Sequence, residues 1–202
     1  MNCPTCRKPT EVCVCDRVAP RVTGLSVVVL QHPQEQDRIL GTVPLLEAAI
    51  GARRAVGLSW PNLRAALTGA GVEPDGDGSW AVIWPSQLPR ELTPPELAAP
   101  VVRVGSDRPL RGLVALDGTW SQAKALWWRN PWLVKLDRIV LHPSQPSIYG
   151  RLRREPRAQF VSTLEAVAEA LVGSGEAPEV REDLRRLMRT MTQRARDVPD
   201  AG

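Results

Sequence analysis

The chain has 202 residues, of which 43% are hydrophobic and 24% charged, the balance of an ordinary globular protein. No apolar run is long enough to cross a bilayer as a helix. The net charge of +4, from 26 basic and 22 acidic residues, is too small an excess to name a polyanionic partner by itself. Its distribution is more telling: Arg151, Arg153, Arg154 and Arg157 crowd one stretch, and Arg181, Arg185, Arg186, Arg189, Arg194 and Arg196 stud the C-terminal segment. Arginine is the better fork for phosphate oxygens, although an Arg-, Ala- and Pro-rich composition alone would produce such clusters.

All four cysteines, Cys3, Cys6, Cys13 and Cys15, stand at the N-terminus. Met1 to Cys15 contains no apolar core of a signal peptide, so a cytoplasmic location is expected. In a reducing compartment, clustered cysteines point to a metal rather than to disulfides. Zinc takes four thiolates in a tetrahedron, and C-P-T-C has knuckle spacing, while C-V-C is tighter than usual. No histidine is nearby, so the metal expected is structural; four free thiols are the alternative. This piece is assigned residues 1–19, ahead of one α/β domain over 20–202.

Gly24 to Leu30 is a short β-branched run, the pattern of a buried strand, and ends at Gln31-His32-Pro33. Thr42, Pro44 and the apolar stripe through Ile50 predict a capped helix closed by Gly51. A strand is expected over Ala55 to Trp60 and a short helix over Asn62 to Leu67, closed by Gly69. Trp80 to Trp84 is a further strand, followed by a proline-rich connection to Pro100 in which Thr93 to Glu96 resembles a capping box. Val101 to Val104 is flanked by prolines and reads as an edge strand. Gly112 to Leu116 is a strand that runs into Asp117-Gly118-Thr119-Trp120, with a helix over Ser121 to Trp128. Arg138 to Leu141 is another strand, ended by His142-Pro143. Ser162-Thr163-Leu164-Glu165 is a capping box opening a helix that ends at Gly173. Val180, Leu184, Leu187, Met188 and Met191 predict a last helix with its arginines exposed. Strands alternating with helices imply a mainly parallel sheet with helices on both faces.

In such sheets ligands bind beyond the carboxyl ends of the strands. Four ends stand out: Gln31-His32-Pro33, Trp84-Pro85-Ser86, Asp117-Gly118-Thr119-Trp120 and His142-Pro143-Ser144. Asp117 is expected to stay ionised and face solvent at a strand tip beside a helix N-terminus. Thr119 reads equally as a helix cap and Trp120 as core; His32 and His142 either touch a ligand or bond their own loops. There is no G-x-G-x-x-G, P-loop, H-E-x-x-H or G-x-S-x-G, and no cysteine outside the cluster to serve as a nucleophile. Composition and spacing stop here and name no reaction.

The ordered motifs resemble those of the DTW-domain family. L-D-G-T-W-x-x-A at Leu116 to Ala123 is similar to its signature, and the cysteine pairs, Q-H-P-x-E at Gln31 to Glu35 and Trp84-Pro85-Ser86 fit its order. So do N-P-W-L at Asn130 to Leu133, Tyr149 to Arg154, and S-T-x-E-A at Ser162 to Ala166. Gly118 stands where alanine is common, and Gly150 where lysine is frequent.

The resemblance implies a tRNA-uridine aminocarboxypropyltransferase with S-adenosylmethionine as donor, structural zinc, and a SPOUT-like fold with a C-terminal knot. It implies Asp117 as the general base. Pro85, Ser86, Leu116, Gly118, Thr119, Trp120, Tyr149, Ser162 and Thr163 would hold the donor, and His32, Arg151, Arg153 and Arg154 the tRNA. Two rivals share these features: a SPOUT-type RNA methyltransferase, and a zinc-stabilised RNA-binding protein without catalysis.

Overall fold

The run Ser26-Val-Val-Val-Leu-Gln31 is buried at five of its six positions, as a strand covered on both faces must be. In the computed structural model, which describes residues 1–83, 100–142, 145–150, 152 and 161–198, this run is β1 (Ser26–Gln31). It is followed by α1 (Val43–Ile50), β2 (Arg53–Val56), α2 (Leu63–Gly69), β3 (Ser79–Ile83), β4 (Val101–Val104) and β5 (Leu110–Asp117). Then come α3 (Trp120–Arg129), β6 (Asp137–Leu141), α4 (Thr163–Gly173) and α5 (Pro178–Asp197), with short 3-10 turns at Cys15–Arg17, Pro33–Glu35 and Pro131–Lys135.

The six strands form one sheet in the order β2-β1-β5-β3-β6-β4. Neighbours are parallel except β4, which pairs antiparallel with β6 at the edge. The mainly parallel sheet is therefore as expected, including the proline-flanked edge strand. Alternation along each strand splits the core in two. Val27, Val29, Ala81, Ile83, Leu113, Ala115 and Ile139 face α1, α4 and α5. Val28, Leu30, Trp80, Val82 and Val114 face α2 and the Trp132–Leu133 turn on the other side. Val12 and Val14 join the first core, so the cysteine segment is packed onto the sheet domain.

Several element ends differ from expectation, most by one or two residues. The second strand is Arg53–Val56 rather than Ala55 to Trp60, because Trp60 is held in a loop by its N–H to Asn130 Oδ1 at 2.8 Å. Helix α2 includes Gly69 and is followed by Gly71 at φ 71°, so Gly71 supplies the left-handed turn. Thr42 makes no side-chain cap; α1 starts with Pro44 in its first turn and ends, as expected, on left-handed Gly51. The expected capping box at Thr93 to Glu96 and Trp84 lie outside the described residues.

Four of the six arginines of α5 are engaged with carboxylates. Arg181 and Arg185 pair with Glu169, Arg186 with Asp183, and Arg194 with Asp16. No helix is long and apolar enough to cross a membrane among the described residues.

Candidate functional site

Asp117 is the last residue of β5, in the interior of the sheet, and parallel pairing sets it opposite Gln31, the last residue of β1. Gln31 Nε2 donates to Asp117 Oδ2 at 2.8 Å. The same carboxamide accepts through Oε1 from Arg54 at 3.1 Å, and Arg54 pairs with Glu47 at 3.1 Å. From the other side Thr163, the first residue of α4, donates its hydroxyl to Asp117 Oδ1 at 2.6 Å. The carboxylate is thus gripped once on each oxygen. It does not face solvent as expected: Asp117 is only 6% exposed, because the tip of β1 and the start of α4 close over it. An ionised carboxylate has about four lone-pair sites, so acceptor capacity remains after two donors.

The turn after Asp117 is built closely. A β-carbon on Gly118 would stand 2.8 Å from Gln122 Cβ, so glycine lets the backbone pass over the first turn of α3. Thr119 and Gln122 complete a reciprocal capping box, and Gln122 Nε2 also donates to Gln34 Oε1 at 3.0 Å. Trp120 is not core: it is 37% exposed. Leu116 is partly buried against the second core. His32 donates its backbone N–H to the Asp117 carbonyl at 2.9 Å, and its Nδ1 accepts from Gln34 N–H at 3.3 Å.

One buried cation has no distinct sequence signal. Lys8 is 2% exposed, and its ammonium donates to the carbonyls of Ile39 and Gly41, both at 2.6 Å, and of Arg38 at 3.5 Å. Burial pushes this ammonium down to about 8, against the Cys6 thiol and the Asp117 carboxylate, which favour its charge. The intervening carbonyl, Leu40, accepts from the Tyr149 hydroxyl at 2.7 Å. Four successive carbonyls are therefore held by one buried ammonium and one buried phenol. Ser162 caps α4 with Glu165, and Glu165 also accepts from Ser147 Oγ at 2.7 Å and Ile148 N at 2.9 Å. That fixes the segment preceding Tyr149. Pro85, Ser86, Arg151, Arg153 and Arg154 lie outside the described residues. His142 stands apart from Asp117, lining a cleft of about 340 Å³ with Glu169, Arg181 and Arg185.

The four cysteine sulfurs all lie within 4.8 Å of one another. Cys3 and Cys15 are 3.8 Å apart and Cys6 and Cys13 3.5 Å; a zinc tetrahedron with bonds near 2.3 Å has edges of about 3.8 Å. The backbone N–H of Cys6, then that of Thr5, hold the Cys3 thiol down to about 6, while burial pushes Cys13 and Cys15 up. The donor set fits a tetrahedral metal.

A family model described as the DTW domain matches residues 1–196. A tRNA-uridine aminocarboxypropyltransferase 2 from Drosophila melanogaster is 30% identical over 195 residues, 94% of this chain and 73% of that protein. Proteins of the same name from Mus musculus and Macaca fascicularis are 30% and 28% identical over 84% of this chain and 55% of their own lengths. The chain thus spans just over half of these mammalian relatives. No solved structure matches it.

Proposed function

The chain belongs to the DTW-domain family, and on that premise we propose that it transfers the 3-amino-3-carboxypropyl group of S-adenosylmethionine to N3 of a tRNA uridine. The observation that supports a reaction at this point is Asp117 itself. It is a carboxylate fixed on both oxygens by Gln31 and Thr163, with lone pairs remaining, at a strand end where parallel sheets bind ligands.

The step balances simply. Asp117 takes the N3 proton of uridine as general base. The freed N3 pair attacks the aminocarboxypropyl methylene, that carbon's bond to the sulfonium breaks, and the electron pair leaves on sulfur as neutral methylthioadenosine. Choice of methylene over methyl is a matter of which carbon is held in line with N3. In this reading Pro85, Ser86, Leu116, Gly118, Thr119, Trp120, Tyr149, Ser162 and Thr163 shape the donor pocket. His32, Arg151, Arg153 and Arg154 meet tRNA, and the uridine leaves its stack to reach the base. The fold is SPOUT-like with a C-terminal knot, the cysteines hold one structural zinc, and the enzyme works in the cytoplasm.

The test is mass spectrometry of nucleosides from tRNA incubated with protein and donor. Aminocarboxypropyluridine with methylthioadenosine is expected. Methylated nucleoside with S-adenosylhomocysteine would establish the methyltransferase instead, and tRNA binding without any transfer would leave the non-catalytic RNA-binding protein. A metal assay is expected to find about one zinc per chain.

A further inference from the structure

Between Asp117 and Asp137 the sequence has no carboxylate, yet it holds four of the seven tryptophans and three cations, Lys124, Arg129 and Lys135. The structure disposes them unevenly. Ala123 and Leu126 of α3 are buried, and Trp127 packs on the second core. Trp120, Lys124 and Trp128, spaced four residues apart, fall on one side of the helix and are all exposed, Trp128 to 71%. At 1.5 Å per residue this row extends about 12 Å along the axis. It begins three residues after Asp117, on a helix fixed by its capping box and by the Gln122–Gln34 bond.

We propose that this row is a platform for single-stranded RNA that leads out from the donor pocket at Trp120, receiving the nucleotides that flank the target uridine, a base on Trp128 and a phosphate on Lys124. It rests on the function proposed above and extends it to how substrate is presented. Charge selects the occupant. Among the described residues the side chains of Lys124, Arg129 and Lys135 make no ion pair or hydrogen bond, whereas Arg181, Arg185, Arg186 and Arg194 of α5 are all engaged with carboxylates. Uncompensated cations interleaved with exposed indoles, and no acid among them, match a polyanion with aromatic faces. Stacking of this kind tolerates any base, so the row contributes affinity and leaves the choice of uridine to the pocket.

Trp128 is exposed enough that its replacement leaves folding unchanged. The experiment measures binding of a fluorescein-labelled RNA stem-loop, with duplex RNA as control, together with KM for tRNA and for S-adenosylmethionine. Trp128→Ala should weaken stem-loop binding about tenfold or more and raise KM for tRNA alike, with KM for the donor unchanged and Trp128→Phe restoring most of the loss. Lys124→Ala should lower the salt slope by about 1. Unchanged stem-loop affinity in Trp128→Ala overturns the platform, as does an equal loss on duplex RNA. A wild-type dimer that Trp128→Ala dissociates would assign the surface to a second copy of the chain and also overturns it. Trp128-dependent RNA binding in a protein that transfers nothing would retain the platform and remove the reaction. Normal transfer with unchanged tRNA KM in Trp128→Ala would do the reverse.

Discussion

Two aspartates of the sheet are buried to nearly the same degree, Asp117 at 6% and Asp137 at 8% exposed, and they sit at opposite ends of parallel strands. Asp137, at the start of β6, is saturated. It accepts from Ser79 Oγ at 2.8 Å, Arg103 at 2.6 Å, and the Ser106 N–H and hydroxyl at 2.9 and 3.0 Å. Burial pushes its carboxyl up, but the Ser106 N–H, Arg103 and the two serine hydroxyls outweigh that and hold it below the usual range. Asp117, at the end of β5, has two neutral side-chain donors and, among the described residues, no guanidinium in contact. The first is a lock; the second is held in place with acceptor capacity to spare, as the proposed general base requires. Burial alone therefore does not distinguish the two carboxylates. The count and charge of their donors do.

The comparison breaks most visibly through two isosteric substitutions. Asp117→Asn should cut transfer about 10²- to 10⁴-fold with the denaturation midpoint nearly unchanged. The Thr163 hydroxyl can turn from donor to acceptor toward the new amide. A near-normal rate in that variant would remove Asp117 from the chemistry. Asp137→Asn should do the opposite, costing about 3–5 kcal/mol of stability in a denaturant titration, since Arg103 and the Ser106 N–H cannot become acceptors. Activity per folded molecule should persist.

The same lock has a pH signature. With its folded pKa below the unfolded value of about 3.9, Asp137 contributes stability fully above that pH. The contribution is lost as pH falls through the folded pKa. Unfolding free energies of wild type and Asp137→Asn should converge in acid; a constant gap would contradict the assignment.

A smaller effect tests how Asp117 is held. Thr163→Val should lower kcat about tenfold with KM for tRNA unchanged, with Thr163→Ser restoring it. Loss of folding without that split would make the contact merely structural. Smallest of all, Gly118→Ala should cost about 1–3 kcal/mol, read from the thermal midpoint, as the new methyl pushes on Gln122. Alanine tolerated at no cost would show that the turn relaxes freely.

Much of this was legible in residue order. Gly24 to Leu30, Gly112 to Leu116 and Arg138 to Leu141 announced buried parallel strands by their short apolar, β-branched runs, and the prolines around Val101 to Val104 marked an edge. The capping boxes at Thr119 and Ser162 were readable because their partners lie three residues away. Asp117 was identifiable as the polar end of an apolar strand. Its grip was not, because Gln31 and Thr163 are 86 and 46 residues distant and meet it only through strand pairing and helix docking. Lys8 gave no sign at all: its partners are carbonyls, which every residue possesses.

What the sequence by itself determined is the local alphabet: which segments are strands and helices, where they stop, that four thiols cluster, and which carboxylate ends a central strand. These depend on side-chain periodicity and on contacts within one turn of chain. Tertiary structure alone decided that Asp117 is enclosed, that Arg181, Arg185, Arg186 and Arg194 of α5 are paired while Lys124 has no carboxylate partner among the described residues, and that Trp120 and Trp128 stay exposed. Burial and charge compensation are set by whatever distant segment arrives next to a side chain, and no pattern along the chain encodes that arrival.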